Sequence, residues 1–526
     1  SNGSAISLNT VNGAQDLTVT SGTGSVNIQG VIGGTTGLAS LTVNSGGATG
    51  SGAITLVDIG DADTTGVTGV TAIGNANTTV LTLSGSNYKT GGSQIYTAAA
   101  GQSIDITSGT GASFTTSTAG AGVSFATSNI DLSNGTDISV LTNNGAISAL
   151  KIDGTSSEDV TLNAGTGTVT VGAIGTQTLN GINTVALTGS GGVTLNGNIT
   201  TDDTPGNSVT VTGPATLGNS LTITTSNNTG GVTFTSTVNG GHVLDIDAGA
   251  GDVDMQGTIG GTGQLYALSI VGNDIRLNNL GGGDAGVVTT TDISASTSGA
   301  DTGSITFTGT TYNTGGTQTY TAAAGNNILV NGGGTTTFTT TGDAITFRTA
   351  DIVLGAGSNL FVNSNGGAIS ANSINGTSSE DVTLDAGTST VTVGAIGTLT
   401  PNGINTVALT GNGGVTLNGN ITTSSASDNS VTVTGPVTLG ANVTIDTSAN
   451  VTDGTGDVTF TSTINGARTL GIVAGLGSVD LQNDVGTAVG VGNALTQLTV
   501  SGADINLHDV KTTGIQTYTA SGTITT

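Results

Sequence analysis

Apolar and small polar residues alternate along the whole chain in short segments. Representative segments are LTVT at 17–20, GVTL at 192–195 and VTIDT at 443–447. Alternation with a period of two, rich in β-branched residues, is typical of β-strands. Between the segments lie NG, GG, SG and TG pairs, which suit the positive φ angles of tight corners. No stretch has the apolar stripe of a helix, so the sequence predicts an all-β chain.

Long internal repeats organise these segments. The block Gly154–Thr201 returns at Gly376–Thr423 with only five substitutions. An Asn-Gly pair recurs at Asn12, Asn239 and Asn465, at nearly equal spacings. Composition does not shift between the copies, so we expect one continuous β-solenoid over 1–526. Its approximate units are 1–230, 231–457 and a partial unit, 458–526.

A tyrosine-bearing section also recurs, with Tyr88 and Tyr96 in the first copy, Tyr312 and Tyr320 in the second, and Tyr518 in the third. The third copy is shorter than the second, because its tyrosine follows its Asn-Gly pair more closely. These tyrosines form either an exposed ligand-binding ladder or part of the core, and repeats of this kind favour the core.

The composition decides between two β architectures. Glycine accounts for 91 residues, aromatic residues for 3%, and tryptophan is absent. A β-sandwich closes at roughly 100 residues and usually has bulky core aromatics, whereas a solenoid adds layers that contact only their neighbours. Small, uniform apolar side chains suit a narrow interior. We therefore predict a right-handed parallel β-helix, an elongated rod with about 20 residues per turn.

The charge balance excludes some partners. The chain has 33 acidic and 6 basic residues, a formal charge of −27. Nucleic-acid binding relies on Lys and Arg contacts to phosphate, so we expect no nucleic-acid partner and no attraction to anionic membranes. No apolar run is long enough to span a bilayer, so we expect no membrane insertion. The absence of cysteine excludes disulfides and thiolate metal sites.

Three phrases carry a resemblance to a known class of protein: VTFTSTVNG at 232–240, TGGTQTYTAAAG at 314–325 and VTVTGPVTLGANVTI at 431–445. They resemble the repeats of filamentous-haemagglutinin-like and autotransporter-like β-strand-repeat surface proteins of bacteria. The resemblance covers essentially the whole chain. It implies secretion across the outer membrane, a parallel β-helix, an extracellular location on the bacterial cell surface, and a role as an adhesin stalk or fibre.

The sequence thus predicts a non-enzymatic structural stalk or fibre segment of a large secreted cell-surface adhesin. The alternatives are a self-assembling extracellular filament subunit and a polysaccharide-binding or polysaccharide-cleaving β-helix. The partners we expect are other copies of the chain, arranged end to end, or glycans and proteins of host or neighbouring cell surfaces. The chain looks like a piece of a longer protein.

Candidate catalytic groups are few, and we assign no catalytic residue and no cofactor-binding residue. The two histidines, His242 and His508, are not matched by histidine in the other copies. Glu158 and Asp159 are adjacent in a strand and must point to opposite faces, so they cannot act as a glycosidase pair. An ice-binding face needs threonine on the same side of every turn, and the Thr-x-Thr runs are scattered.

Calcium is the one ligand that the acidic residues suggest, because calcium takes six to eight oxygen ligands. The Asp-x-x-Asp-x-Asp pattern and the DIDAGAGDVD run place several carboxylates close together in sequence, although neither is a known calcium-binding loop. The candidate calcium ligands are Asp58, Asp61, Asp63, Asp245, Asp247, Asp252 and Asp254.

Overall fold

The structure is a computed structural model. It describes residues 3–46, 52–133, 135–176, 181–202, 206–225, 229–296, 303–398, 403–424, 429–448, 455–486 and 493–526. All regular structure in these residues is β-strand, and none is helix. Strands of successive turns pair in parallel, which makes the fold a β-solenoid. The predicted all-β, parallel β-solenoid class is confirmed.

Chain contacts divide the solenoid into two compact units, Ser1–Gly257 (unit 1) and Thr258–Thr526 (unit 2). This division does not coincide with the sequence repeats, since unit 1 contains the first repeat and the start of the second. Each unit has three sides per turn, lettered A, B and C in chain order.

The strands of unit 1 stack in three columns. Side 1A carries Ile6–Leu8, Val26–Ile28, Gly52–Leu56, Thr78–Leu83, Ser103–Ile106, Ile199–Thr200, Leu221–Thr224 and Val243–Asp247. Side 1B carries Asn87–Thr90, Ala112–Thr116, Ile138–Leu141, Glu158–Asn163, Ile182–Thr188, Ser208–Thr212, Gly231–Phe234 and Val253–Met255. Side 1C carries Asp16–Thr20, Ser40–Asn44, Thr71–Ile73, Gln94–Tyr96, Gly192–Leu195, Ala215–Leu217 and Val238–Asn239. Longer strands run from side 1C round to side 1A at Val123–Leu132, Ile147–Asp153 and Thr168–Ile174.

Unit 2 has the same three-sided arrangement. Side 2A carries Ile275–Leu277, Ile305–Phe307, Asn327–Val330, Asp351–Leu354, Ile374–Asn375, Ile421–Thr422, Val443–Asp446, Thr469–Val473, Gln497–Gly502 and Gln516–Ala520. Side 2B carries Thr311–Asn313, Thr335–Thr339, Asn359–Asn363, Glu380–Asp385, Ile404–Thr410, Val431–Thr434, Val458–Phe460, Val479–Leu481, Ile505–Asn506 and Ile524–Thr525. Side 2C carries Ala267–Gly272, Thr291–Ala295, Gln318–Thr321, Ile345–Arg348, Ile369–Ala371, Thr390–Val393, Gly414–Leu417, Val437–Leu439 and Ile464–Asn465.

A buried aliphatic ladder runs along side A of each unit, with one inward-facing residue per turn in register with the next. In unit 1 it consists of Val26, Ile54, Leu81, Ile104, Ile130, Ile152, Ile174, Ile199, Ile223 and Ile246. In unit 2 it consists of Ile275, Ile305, Ile328, Ile352, Ile374, Ile396, Ile421, Ile445 and Ile472. All of these side chains are at most 1% exposed. Each contributes roughly 1.5–3 kcal/mol by its burial.

Turn length varies while the ladder register is kept. Ile6 pairs with Val26, whereas Ile275 pairs with Ile305, so the second of these turns is half as long again as the first. Most turns are longer than the sequence predicted, because the corners hold additional residues. These corners are tight, and a Cβ atom on Gly145 would lie 1.9 Å from the carbonyl oxygen of Ala121 in the preceding turn. The frequent glycines thus follow from close contact between successive turns.

The sequence repeat does not equal a whole number of turns. The segment at Val26–Ile28 lies on side 1A, and its copy in the second repeat, Val253–Met255, lies on side 1B. Nine ladder steps lead from Val26 to Ile246 on side 1A, and Val253–Met255 is one side further on. The repeat therefore spans nine and one-third turns. Copies of one surface feature consequently lie on different sides of the same unit.

The recurring tyrosines are core residues in the first two copies. Tyr88, Tyr96, Tyr312 and Tyr320 are at most 1% exposed, so the prediction of a core role is confirmed for them. The ring of Tyr312 stacks on Phe338 of the next turn, with centroids 4.7 Å apart. Burial raises the pKa of all four tyrosine hydroxyls. Tyr518 in the third copy is only partly buried.

A buried glutamine joins each tyrosine pair to the neighbouring backbone. Gln318 Nε2 donates to the carbonyl oxygens of Tyr312 and Thr339, at 2.9 and 2.8 Å. The hydroxyl of Tyr320 donates to Gln318 Oε1 at 3.0 Å. Gln94 makes the same contacts in the first copy. All hydrogen-bonding groups of the glutamine side chain are therefore satisfied inside the core.

Replacing this glutamine should destabilise the fold. Gln318→Met keeps the side-chain length but leaves the Tyr320 hydroxyl and two backbone carbonyls without their partner, so we expect a loss of about 2–4 kcal/mol in the free energy of unfolding. Urea unfolding followed by circular dichroism measures this loss. The matched control is Gln516→Met at the exposed third copy, which should change it by less than about 0.5 kcal/mol. Equal losses in the two variants would contradict a specific role for the buried contacts.

Candidate functional site

Outward-facing hydroxyl residues form ladders on side C, which the scattered Thr-x-Thr runs did not predict. The ladder on side 2C consists of Thr319, Thr346, Ser370, Thr392, Thr416 and Thr438. The ladder on side 1C consists of Ser124, Ser148, Thr170, Thr194 and Thr216. Variable turn lengths hide this alignment in the sequence, because the additional residues lie in the corners. The ladder becomes visible only when the short strand segments of successive turns are aligned with one another.

A shallow groove lies beside the ladder of side 1C, where three strands continue round to side 1A. Its volume is about 190 Å³, and its lining includes Ser148, Thr170, Asn196 and Leu150. Leu150 is 50% exposed. In the second repeat, Asn372 stands at the position of Leu150, so the apolar part of this groove belongs to the first repeat.

The first predicted calcium group occupies a corner of unit 1. The Asp58 carboxylate accepts hydrogen bonds from the backbone N–H groups of Ser86 and Asn87, both at 2.8 Å, and so supports the next turn. The Asp61 carboxylate accepts from Thr64 Oγ1 at 2.8 Å and from Thr64 N at 2.7 Å. These bonds, led by the Thr64 hydroxyl, lower the pKa of Asp61. Asp63 is exposed.

The second predicted calcium group lies on two strands of unit 1. Asp245 and Asp247 point outward from side 1A, as the alternation predicts, and Asp247 accepts a bond from Gly249 N at 3.2 Å. Asp252 is exposed, and the carboxylate of Asp254 accepts a bond from Gln256 Nε2 at 2.7 Å. Neither predicted group brings three carboxylates within 4.8 Å of one another in the described residues. Calcium binding by these residues stays a prediction.

One group of three potential metal ligands lies elsewhere in the described residues, in unit 2. Asp484, His508 and Asp509 each place a ligand atom within 4.8 Å of the others. His508 Nδ1 lies 2.6 Å from Asp484 Oδ1, and the His508 side chain is 59% exposed. A bond between the imidazole and the carboxylate accounts for this arrangement without a metal ion. The sequence analysis did not pair His508 with Asp484.

The adjacent acids Glu158 and Asp159 point to opposite faces, as predicted from their spacing. Glu158 is buried, and its carboxylate accepts bonds from the backbone N–H groups of Thr155 and Ser156, both at 2.8 Å. Asp159 faces outward and accepts bonds from Thr184 of the next turn, at 2.8 Å from Oγ1. Glu380 and Asp381 repeat these contacts. In both blocks the two carboxylates support corners rather than form a catalytic pair.

A ladder of three aspartates on side 1A was not predicted. Asp105, Asp131 and Asp153 are in register on successive turns. Lys151 Nζ forms an ion pair with Asp153 Oδ2 at 2.7 Å, and Asp153 is 5% exposed. Burial, together with the charge of Asp131, raises the pKa of Asp105. In the second repeat, Ser373 and Asn375 replace the lysine and the aspartate of this pair.

Comparison with known proteins gives no relative on which to base a function. No family model, no curated protein and no solved structure matches the chain. The described part of the chain also has no helix that is long and apolar enough to cross a membrane.

We expect that Lys151 and Asp153 can be replaced without a large loss of stability only when both are changed together. Lys151→Ser removes the counter-charge of a buried carboxylate, so we expect the free energy of unfolding to fall by about 2 kcal/mol. The double variant Lys151→Ser/Asp153→Asn carries the residues that the second repeat has at these positions, and its free energy of unfolding should lie within about 1 kcal/mol of that of the unmodified chain. A double variant as unstable as the single variant, measured by urea unfolding, would contradict the pairing.

The ladder also predicts a pH dependence. Because the pKa of Asp105 is higher in the folded chain than its ordinary value of 3.8, its ionised form opposes folding. The chain should therefore gain stability from this group as the pH falls through the folded pKa towards 3.8. Asp105→Asn should stabilise the chain at pH 7, and the difference should vanish below pH 3.8.

Asp61→Asn provides the opposite case, since the pKa of Asp61 is lowered in the folded chain. This variant should be less stable than the unmodified chain at pH 7, and the difference should disappear as the pH falls below 3.8, through the folded pKa. Urea unfolding at a series of pH values measures the stability differences of both Asp105→Asn and Asp61→Asn. The same direction of change for both variants would contradict the assigned environments.

Proposed function

We propose that this chain is a non-enzymatic stalk or fibre segment of a large secreted adhesin on the bacterial cell surface. The observation that carries the proposal is the continuous register of buried aliphatic residues through turns of different length. Such a stack can be lengthened turn by turn without a change in its core. The carboxylates of Asp58, Asp61, Glu158 and Glu380 accept hydrogen bonds from backbone N–H groups at corners, which suits a structural role.

The resemblance to filamentous-haemagglutinin-like and autotransporter-like repeats supports the extracellular location. Glycans or proteins of other cell surfaces are the partners that fit this role, together with further copies of the chain. The acidic surface, with a formal charge of −27, suits a soluble extracellular segment. Calcium binding by the predicted aspartates belongs to the same proposal and can be tested by calcium titration of the purified chain.

Deleting one complete repeat tests the stalk role. Removal of Gly154–Asn375 joins Asp153 to Gly376, so that the second copy of the long block takes the place of the first, and it takes out close to nine and one-third turns. With strands about 4.8 Å apart, the particle should become about 45 Å shorter in electron micrographs, with its circular dichroism unchanged in form. Compact lobes of unchanged size, or a deletion variant that does not fold, would contradict a stalk.

Polysaccharide binding is the second candidate, and the groove at Leu150 is the observation that favours it. A half-exposed apolar side chain beside hydroxyl and amide groups is a surface on which a sugar ring can pack. Leu150→Asn introduces the residue that the second repeat has at this position, Asn372, and serves as the matched variant. Glycan-array binding by the unmodified chain that is lost in Leu150→Asn would support this function, and equal binding by both would remove the groove from it.

A further inference from the structure

A buried asparagine occupies the corner between sides 1A and 1B. Asn207 is 1% exposed, and its Nδ2 lies 3.0 Å from Thr201 Oγ1, 2.8 Å from the carbonyl oxygen of Asp202 and 3.4 Å from that of Thr225. Two of these three acceptors are carbonyl oxygens, which cannot donate. The amide nitrogen must therefore face them, and the orientation of the side-chain amide is fixed.

The amide oxygen of Asn207 points away from these acceptors. It finds no hydrogen-bond donor in the described part of the chain. Gly230 packs against the amide group, since a Cβ atom at this position would come within 2.4 Å of Asn207 Oδ1 and 2.6 Å of Nδ2. A side chain at position 230 would therefore collide with the amide.

The second repeat contains the same corner, in unit 2. Asn429 is 0% exposed, and its Nδ2 donates to Thr423 Oγ1, to the carbonyl oxygen of Ser424 and to that of Thr447. The described residues offer no donor to Asn429 Oδ1, nor any partner to Ser424 Oγ, which belongs to the same corner. Gly456 takes the place of Gly230, with a Cβ distance of 2.6 Å to Asn429 Oδ1.

A buried acceptor without a donor is costly, and the same cost recurs in both repeats. A molecule bound in the corner that donates a hydrogen bond to the amide oxygen removes this cost. The two corners differ in charge, since Asp202 in the first is replaced by Ser424 in the second. A molecule that binds in both corners therefore cannot require a carboxylate for its binding. A neutral donor that is small enough for such a corner is a water molecule, which usually makes about three hydrogen bonds in protein interiors.

We propose that each of these two corners binds one ordered water molecule, which donates a hydrogen bond to Asn207 Oδ1 in unit 1 and to Asn429 Oδ1 in unit 2. In the second corner the hydroxyl of Ser424 is a further partner for the same water. The water completes the hydrogen bonding of the asparagine that joins the turns at these corners. This inference does not depend on the proposed adhesin function.

A crystal structure of the full chain, at a resolution that shows enclosed water, tests the proposal. We expect an electron-density peak within about 3.2 Å of both amide oxygens. No peak at either oxygen, or an amide that takes a protein donor instead, would overturn it. The matched variant Ser424→Asp gives the second corner the carboxylate of the first. If the bound molecule is water, the electron-density peak should have the same height in this variant and in crystals treated with EDTA. A peak that rises with the added carboxylate, or that EDTA removes, would show a metal cation and overturn the assignment.

Discussion

The packing of one aliphatic side chain on the next, turn after turn, is the interaction on which this structure depends. On side 2A an unbroken series from Ile275 to Ile472 is buried in register. A single turn buries too few such residues to offset the entropy of ordering its backbone, so each turn requires its neighbours. The constraint acts on the strands alone. Corners are free to lengthen, and short and long turns coexist in one fold.

This separation between strands and corners decides where variation between copies is tolerated. The inward positions stay aliphatic, whereas the pair Lys151 and Asp153 changes to Ser373 and Asn375 without a change of fold. The repeat of nine and one-third turns adds a second consequence. Equivalent surface features within unit 1 lie on adjacent sides, so a repeated feature is presented in more than one direction. A repeat of whole turns would place all copies on one side.

The sequence allowed the strand pattern to be predicted, because alternation and glycine pairs are local signals. It also placed Glu158 and Asp159 on opposite faces, since adjacent strand residues must diverge. The register between turns could not be predicted from the sequence, because turn length varies and the residues that align are separated by changing intervals. The hydroxyl ladder of Thr392 and Thr416 and the aspartate ladder of Asp105 and Asp131 were missed for this reason. The predicted aspartates from Asp58 to Asp254 were chosen by nearness in sequence, which the solenoid does not convert into a compact ligand group in the described residues.

Cysteine cross-linking tests the register most directly, because the chain has no cysteine of its own. Thr392 and Thr416 face outward in register on successive turns, where Cα atoms lie about 4.8 Å apart, within the range that a disulfide spans. Thr438 is two turns from Thr392, at about twice that distance. The account predicts that Thr392→Cys/Thr416→Cys forms an intramolecular disulfide on mild oxidation and that Thr392→Cys/Thr438→Cys does not. Efficient cross-linking of the second pair, or none in the first, would contradict the ladder.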